Sequence, residues 1–169
     1  MPNTGAGSAS RYIGWLAVAL LVILLDQVSK ITIVSNLHDY QLIRYTSFFD
    51  LVLVYNTGAA FSFLAQAGGW QMLFFSALAL VISVIIAIAL WRHQHQSRFC
   101  MALAGIMGGA LGNVIDRLRL GKVIDFLQLH IGTHYWPAFN IADCAIVGGA
   151  MLLVLDSFLS KSDKHGNTP

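Results

Sequence analysis

Gly105 to Asp143 reads GIMGGALGNVIDRLRLGKVIDFLQLHIGTHYWPAFNIAD, and the rest of the chain is arranged around it. An apolar, glycine-rich run ends in Asn113, Asp116 and Arg117. A short polar excursion then carries Asp125, and Asn140 and Asp143 open a second apolar run. Carboxylates at the rims of membrane-spanning segments are costly to desolvate, so they persist where they are paired or perform a task.

Beyond this stretch the chain is dominated by apolar residues. Of 169 residues, 57% are hydrophobic and 11% charged, where a soluble domain carries about 25% charged residues. Glu is absent, and the eight Asp stand mostly at the edges of apolar runs. A mean hydropathy of +0.69 argues for a membrane protein. Apolar runs over about 12–34, 70–91, 99–116 and 138–158 predict four transmembrane helices, an all-α polytopic fold in one membrane domain over 1–169. The first run continues past Asp26 to Val34 without a small-residue cleavage site, so it reads as a retained span and not a secretion signal. Trp70 and Trp91 bracket the second span as interface anchors.

Two segments lie outside the spans. Residues 35–69 form a β-rich insertion, with β-prone pieces between Tyr45 and Tyr55, a turn at Asn56-Thr57-Gly58, and aromatic interface material over 59–64. Residues 118–137 are a surface segment. Cys100 and Cys144 read as small apolar core residues, not as a disulfide framework. His93 and His95, in the hairpin RHQHQSR at 92–98, lack companions to complete a metal site. No metal and no cofactor is implied. Lys and Arg are scattered singly, without the basic face that tracks nucleic acid.

Gly105, Gly109 and Asn113 recur every four residues, as do Gly108, Gly112 and Asp116, which lets neighbouring helices press close to the polar end of the third span. Four spans place both termini and the 92–98 hairpin on one side, and 35–69 and 118–137 on the other. Lys and Arg mark the cytoplasmic face, yet here they tie: Arg11, Arg92, Arg98, Lys161 and Lys164 against Lys30, Arg44, Arg117, Arg119 and Lys122. Discounting Lys30 and Arg117, which sit among polar site residues, favours cytoplasmic termini.

In this topology Asp26, Lys30, Asn56, Asn113, Asp116, Arg117, Asp125, Asn140 and Asp143 gather at one end of the bundle. Two carboxylates that share a site share a proton, and such a pair activates water while protonating a leaving group. There is no GxSxG elbow and no HExxH to support another hydrolytic chemistry. The expectation is therefore an intramembrane aspartyl peptidase. Asp26 and Lys30, spaced i,i+4, fit an ion pair that locks helices. Asp116 beside Arg117 looks like a salt-bridged structural group. Asn113 and Arg117 share a face suited to peptide carbonyls. Asp125 and Asp143 remain for the dyad, but with Asn140 as N-cap Asp143 also falls at N3, where it stabilises a helix start. The chemistry alone leaves both roles of Asp143 open.

Five ordered blocks then carry a family resemblance: Asp26-Gln27-Val28-Ser29-Lys30, Asn56-Thr57-Gly58-Ala59-Ala60-Phe61, Gly108 to Asn113 with Asp116-Arg117, Val123-Ile124-Asp125-Phe126, and Phe139-Asn140-Ile141-Ala142-Asp143. Together they resemble the bacterial lipoprotein signal peptidases (signal peptidase II), in a proteobacterial dialect. The resemblance implies four helices in the inner membrane, cytoplasmic termini, and a site near the periplasmic face. It makes Asp125 and Asp143 the catalytic dyad, and Asn56, Gly58, Asn113, Arg117, Asn140, Asp26, Lys30 and Asp116 binding or supporting residues. It implies a periplasmic β-cradle at 35–69 and a surface helix at 126–136. The implied substrate is a diacylglyceryl-modified prolipoprotein, cut before its lipidated cysteine by a monomer in contact with membrane lipid, and family members are inhibited by the cyclic peptide globomycin. A small proton-coupled transporter is the alternative for intramembrane carboxylates, but internal repeats are not visible. A purely structural subunit would leave the clustered Asp, Asn and Arg without a purpose.

Overall fold

The computed structural model describes residues 4–57 and 70–165, with side chains over 9–57 and 70–159. Gly58 and the 59–64 segment lie outside the described residues. The order is α1 (Thr4–Asn36), β1 (Leu42–Arg44), β2 (Phe49–Asn56), α2 (Trp70–His93), α3 (Ser97–Leu120), β3 (Val123–Ile131), β4 (His134–Tyr135) and α4 (Ile141–His165).

Among the described residues, four helical stretches are long and apolar enough to cross a membrane: Ala9–Asn36, Trp70–His93, Ser97–Leu120 and Ile141–Leu159. The third is 61% buried and the others 11–22%, which puts α3 at the centre with α1, α2 and α4 packed around it. The glycines explain how. A Cβ at Gly108 would meet the Ala19 carbonyl oxygen at 2.6 Å, and one at Gly109 would meet the Ala142 carbonyl oxygen, so backbone presses on backbone on both sides of α3. Many large side chains point outward, as Leu20, Leu24, Val81, Ile85, Met151 and Val154 do. Ile86, Leu90, Leu103 and Met107 fill the interior beside Ala19 and Ala104, and a large apolar surface is left on the lipid side.

One end of the bundle is closed by contacts among the hairpin and the helix ends. Trp15 Nε1 donates to the Gln94 carbonyl (3.1 Å), and Arg98 pairs with Asp156 (2.8 Å). The other end carries an antiparallel sheet of order β1-β2-β3-β4. Leu53, Ile124 and Phe126 form its buried core against Ile33 of α1, Leu37 just beyond it and Ile141 of α4.

Two expectations are corrected. The 126–136 surface helix is absent: Val123–Ile131 is a strand, with Asp125 opposite Val54 and Asn56 opposite Val123. Gly121 (φ 70°) ends α3 in a left-handed cap, and Gly132 (φ 59°) turns β3 into β4, so the segment is bounded by turns and finds its backbone partners in β2. Cys144 is not a core residue. Cys100 is buried, but Cys144 is exposed, because Asp143 faces inward and the next helical residue is rotated outward.

Candidate active site

Lys30 is the hub of the polar cluster. Its ammonium is 1% exposed, donates to Asp26 Oδ2 (2.8 Å) and Asn113 Oδ1 (3.0 Å), and is ion-paired with Asp116 Oδ2 (2.8 Å). The expected Asp26–Lys30 pair is present, but Asp116 pairs with Lys30 and not with Arg117. Each carboxylate also fixes a distant element. Asp26 Oδ1 accepts from the Ala142 N–H (3.0 Å) in the first turn of α4, and Asp116 Oδ2 accepts from the Ile124 N–H (3.2 Å) in β3. Asp26 thereby positions the helix that bears Asp143, and Asp116 the strand that bears Asp125.

Gln27, which sequence reasoning passed over, bridges the two carboxylates. Its Nε2 donates to Asp116 Oδ1 (2.9 Å) and Asp26 Oδ2 (3.2 Å). The signal lay in its place between Asp26 and Lys30, one step round the helix. Gly112 makes room for this network, because a Cβ there would stand 2.7 Å from Asp26 Oδ2.

Asparagines connect the hub to the remaining two carboxylates. Asn113 takes the Lys30 and Asn140 N–H groups on Oδ1, which turns its Nδ2 toward Asp143 Oδ1 (2.8 Å). Asn140 Nδ2 donates to Asp125 Oδ1 (2.7 Å), and Asn56 Nδ2 to Asp125 Oδ2 (3.1 Å). Asn140 also caps α4: its Oδ1 accepts from the Asp143 N–H (2.9 Å), and its own N–H donates to Asp143 Oδ2 (3.2 Å). The helix-capping geometry of Asp143 is therefore real, and it coexists with placement beside Asp125.

Asp125 and Asp143 differ from the other two carboxylates of the cluster. Among the described residues, no cation lies within ion-pair distance of either, whereas Asp26 and Asp116 share Lys30. Burial, with the Asp143 charge next, pushes the Asp125 carboxyl from 3.8 to about 7, against hydrogen bonds from Asn56 and Asn140 that hold it down. Arg117 rests over the Phe75 ring, 6.0 Å from its centroid, and its charge reaches Asp143, Asp125 and Asp116. The structure thus gathers eight sequence-predicted positions, Asp26, Lys30, Asn56, Asn113, Asp116, Asp125, Asn140 and Asp143, into one network, with Arg117 at its edge.

A family model described as signal peptidase (SPase) II matches residues 18–159. The chain belongs to the signal peptidase II family. A lipoprotein signal peptidase of Paraburkholderia phytofirmans is 58% identical over 156 residues, covering 92% of this chain and 90% of that protein. One from Cupriavidus taiwanensis is 53% identical over 163 residues, covering 96% and 92%. Among solved structures, a bacterial membrane enzyme determined by the in meso method at 2.3 Å matches with a TM-score of 0.77 at 28% identity, over 89% of this chain and 91% of that one. The proteobacterial dialect of the sequence agrees with these relatives. A signal peptidase II with four membrane-spanning helices is a multi-pass membrane protein, and its fold is similar to that of the solved bacterial membrane enzyme.

Proposed function

We propose that this protein is an aspartyl endopeptidase of the inner membrane that removes signal peptides from diacylglyceryl-modified prolipoproteins, cutting before the lipidated cysteine. The observation that carries the mechanism is the division of labour among the four carboxylates. Two are bound to Lys30 and act as struts; the remaining two, Asp125 and Asp143, lie side by side, unpaired and hydrogen-bonded by asparagine amides. A carboxyl near 7 beside an ionised partner retains one proton for the pair.

In the first step the ionised member takes a proton from water, whose oxygen attacks the scissile carbonyl carbon, while the protonated member donates to the carbonyl oxygen. In the second, the resulting gem-diol collapses as a proton passes to the departing amine of the lipidated cysteine. Arg117 is placed to hold peptide carbonyls near the pair, and Asn56, Asn113 and Asn140 keep both carboxylates in orientation. No covalent enzyme intermediate is involved. The site would face the periplasm with the sheet beside it, the termini would be cytoplasmic, and a monomer suffices because every residue named comes from one chain.

The test is cleavage of a diacylglyceryl-modified prolipoprotein by purified protein in detergent, with both products read by mass spectrometry. The expected mature product begins at the lipidated cysteine. Absence of cleavage, or cleavage at another bond, would sink the reading.

A further inference from the structure

Arg117 stands beside the carboxylates of the site without touching them. It is half-buried near the sheet end of α3, and its charge acts most strongly on Asp143, then on Asp125 and Asp116. Yet none of these lies within ion-pair distance of its guanidinium, and among the described residues none of its N–H donors has a hydrogen-bond partner. A guanidinium this near to carboxylates is drawn to close on them, because a bidentate Arg–carboxylate pair is among the strongest contacts two side chains make.

What Arg117 meets instead is aromatic. Its guanidinium carbon lies 6.0 Å from the centroid of the Phe75 ring, over the ring face. Phe75 comes from α2, whose Arg92 and His93 stand in the last turn, at the far end of the helix from the site. The ring is fixed in turn. Phe74 meets it edge-on with centroids 5.4 Å apart, and Trp70 meets Phe74 in the same way at 5.8 Å. Any apolar side chain at 75 would pack against its neighbours, but only a ring face gives a cation an electrostatic hold, and that hold strengthens where water is scarce.

The groups that face Arg117 are thus Asp143 from α4, Asp125 from β3, Asp116 from its own helix and Phe75 from α2. Lys30 of α1 is already taken by Asp26 and Asp116. A dyad of this kind needs one proton shared between two carboxylates. A guanidinium closed onto either would favour both in the ionised form, and would spend the donors that a peptide carbonyl needs. We propose that Phe75 is a positioning residue: its ring face holds Arg117 off the dyad, so that the carboxylates keep their shared proton and the guanidinium keeps its donors for a substrate carbonyl. This rests on the proposed function and adds to it the residue that holds cation and carboxylates apart.

The test is cleavage of a diacylglyceryl-modified prolipoprotein by wild type, Phe75→Leu, Phe75→Met and Phe75→Trp, each full-length and in detergent. kcat/KM is followed from pH 5 to 9, and thermal unfolding is recorded for each protein. Phe75→Leu is expected to lose roughly 3- to 10-fold in kcat/KM at pH 7, the scale of one cation–ring contact. The falling limb of its pH profile is expected to move by about one unit to lower pH, because a cation nearer the pair lets the proton go sooner. Phe75→Trp, which keeps a ring face, should follow wild type in both. A Leu variant with the wild-type rate and profile would overturn the proposal. So would a loss shared equally by Leu and Trp, or a loss with the limb unmoved, since a packing role predicts these. Should Phe75→Leu fail to fold, Phe75→Met, which removes the ring but keeps a long apolar side chain, decides the matter in the same way. A wild type that leaves the prolipoprotein uncut would refute the proposed function, and this proposal with it, a result distinct from an active wild type unmoved by loss of the ring.

Discussion

Replacing Asp125 by Asn should make the protein's stability less dependent on pH, and the structure sets the scale. Asp125 is 3% exposed, and burial with the neighbouring Asp143 charge lifts its carboxyl from 3.8 to about 7. Over that window the folded protein holds a proton that the unfolded chain has released. Stability contributed by the neutral carboxyl is therefore present at low pH and is lost as pH rises toward 7, by up to about 1.4 kcal/mol per pH unit. The whole displacement corresponds to about 4 kcal/mol, some of it belonging to Asp143 because the two carboxylates titrate together. For a chain of this size that is roughly 10 °C in Tm. Asn resembles the protonated carboxyl, with one acceptor for the Asn140 or Asn56 amide, and it has no proton to lose. Thermal unfolding in detergent between pH 4 and 8 should show wild type losing stability relative to Asp125→Asn, the gap opening progressively and levelling off above 7. Groups that do not interact with Asp125 contribute equally in both proteins and cancel in the difference, so the gap reports Asp125 and its coupling to Asp143. A gap that stays constant, or that opens in favour of wild type as pH rises, would refute the reasoning that burial and Asp143 together destabilise the Asp125 charge.

Three further outcomes follow from the same geometry. Gly109→Ala should cost roughly 1–3 kcal/mol and reduce peptidase activity, because its Cβ would press on the Ala142 backbone beside Asp143, whereas Gly14→Ala, with nothing within 4 Å, should leave melting temperature and activity nearly unchanged. Lys30→Met should cost about 3–5 kcal/mol by stranding two buried carboxylates, and adding Asp116→Asn should restore part of the lost melting temperature. The pH profile of kcat/KM should fall as pH rises past about 7, where the carboxylate pair gives up its shared proton; a profile flat to pH 9 would contradict that assignment.

Much of this was legible in the sequence because a membrane makes two features loud. Long apolar runs give the four helices, and Asp or Asn at their rims stands out against hydrocarbon. The i,i+4 spacing of Asp26 and Lys30 and the N3 position of Asp143 are local relations, and both hold in the structure. Relations across the chain were less visible. Asp116 has Arg117 as its covalent neighbour, but the helix turns Arg117 toward Phe75, and Lys30 reaches Asp116 from α1. The stretch VIDFLQLHI mixes apolar and polar residues without a clean period, and its strand character comes from pairing with β2, far away in sequence. Asp50 and His130, buried 3.4 Å apart on β2 and β3, meet through that same register, so no spacing within either segment announced them.

If Asp125 and Asp143 perform the hydrolysis together, neither can be spared. Cleavage of a diacylglyceryl-modified prolipoprotein should be compared for wild type, Asp125→Asn and Asp143→Asn, each purified in detergent and shown to be folded. Each change preserves shape and removes the ability to trade a proton. Both variants are expected to lose cleavage by three orders of magnitude or more, a scale of roughly 4 kcal/mol in the barrier. A near-normal rate in either folded variant would contradict the dyad and reduce that residue to a cap or a strut.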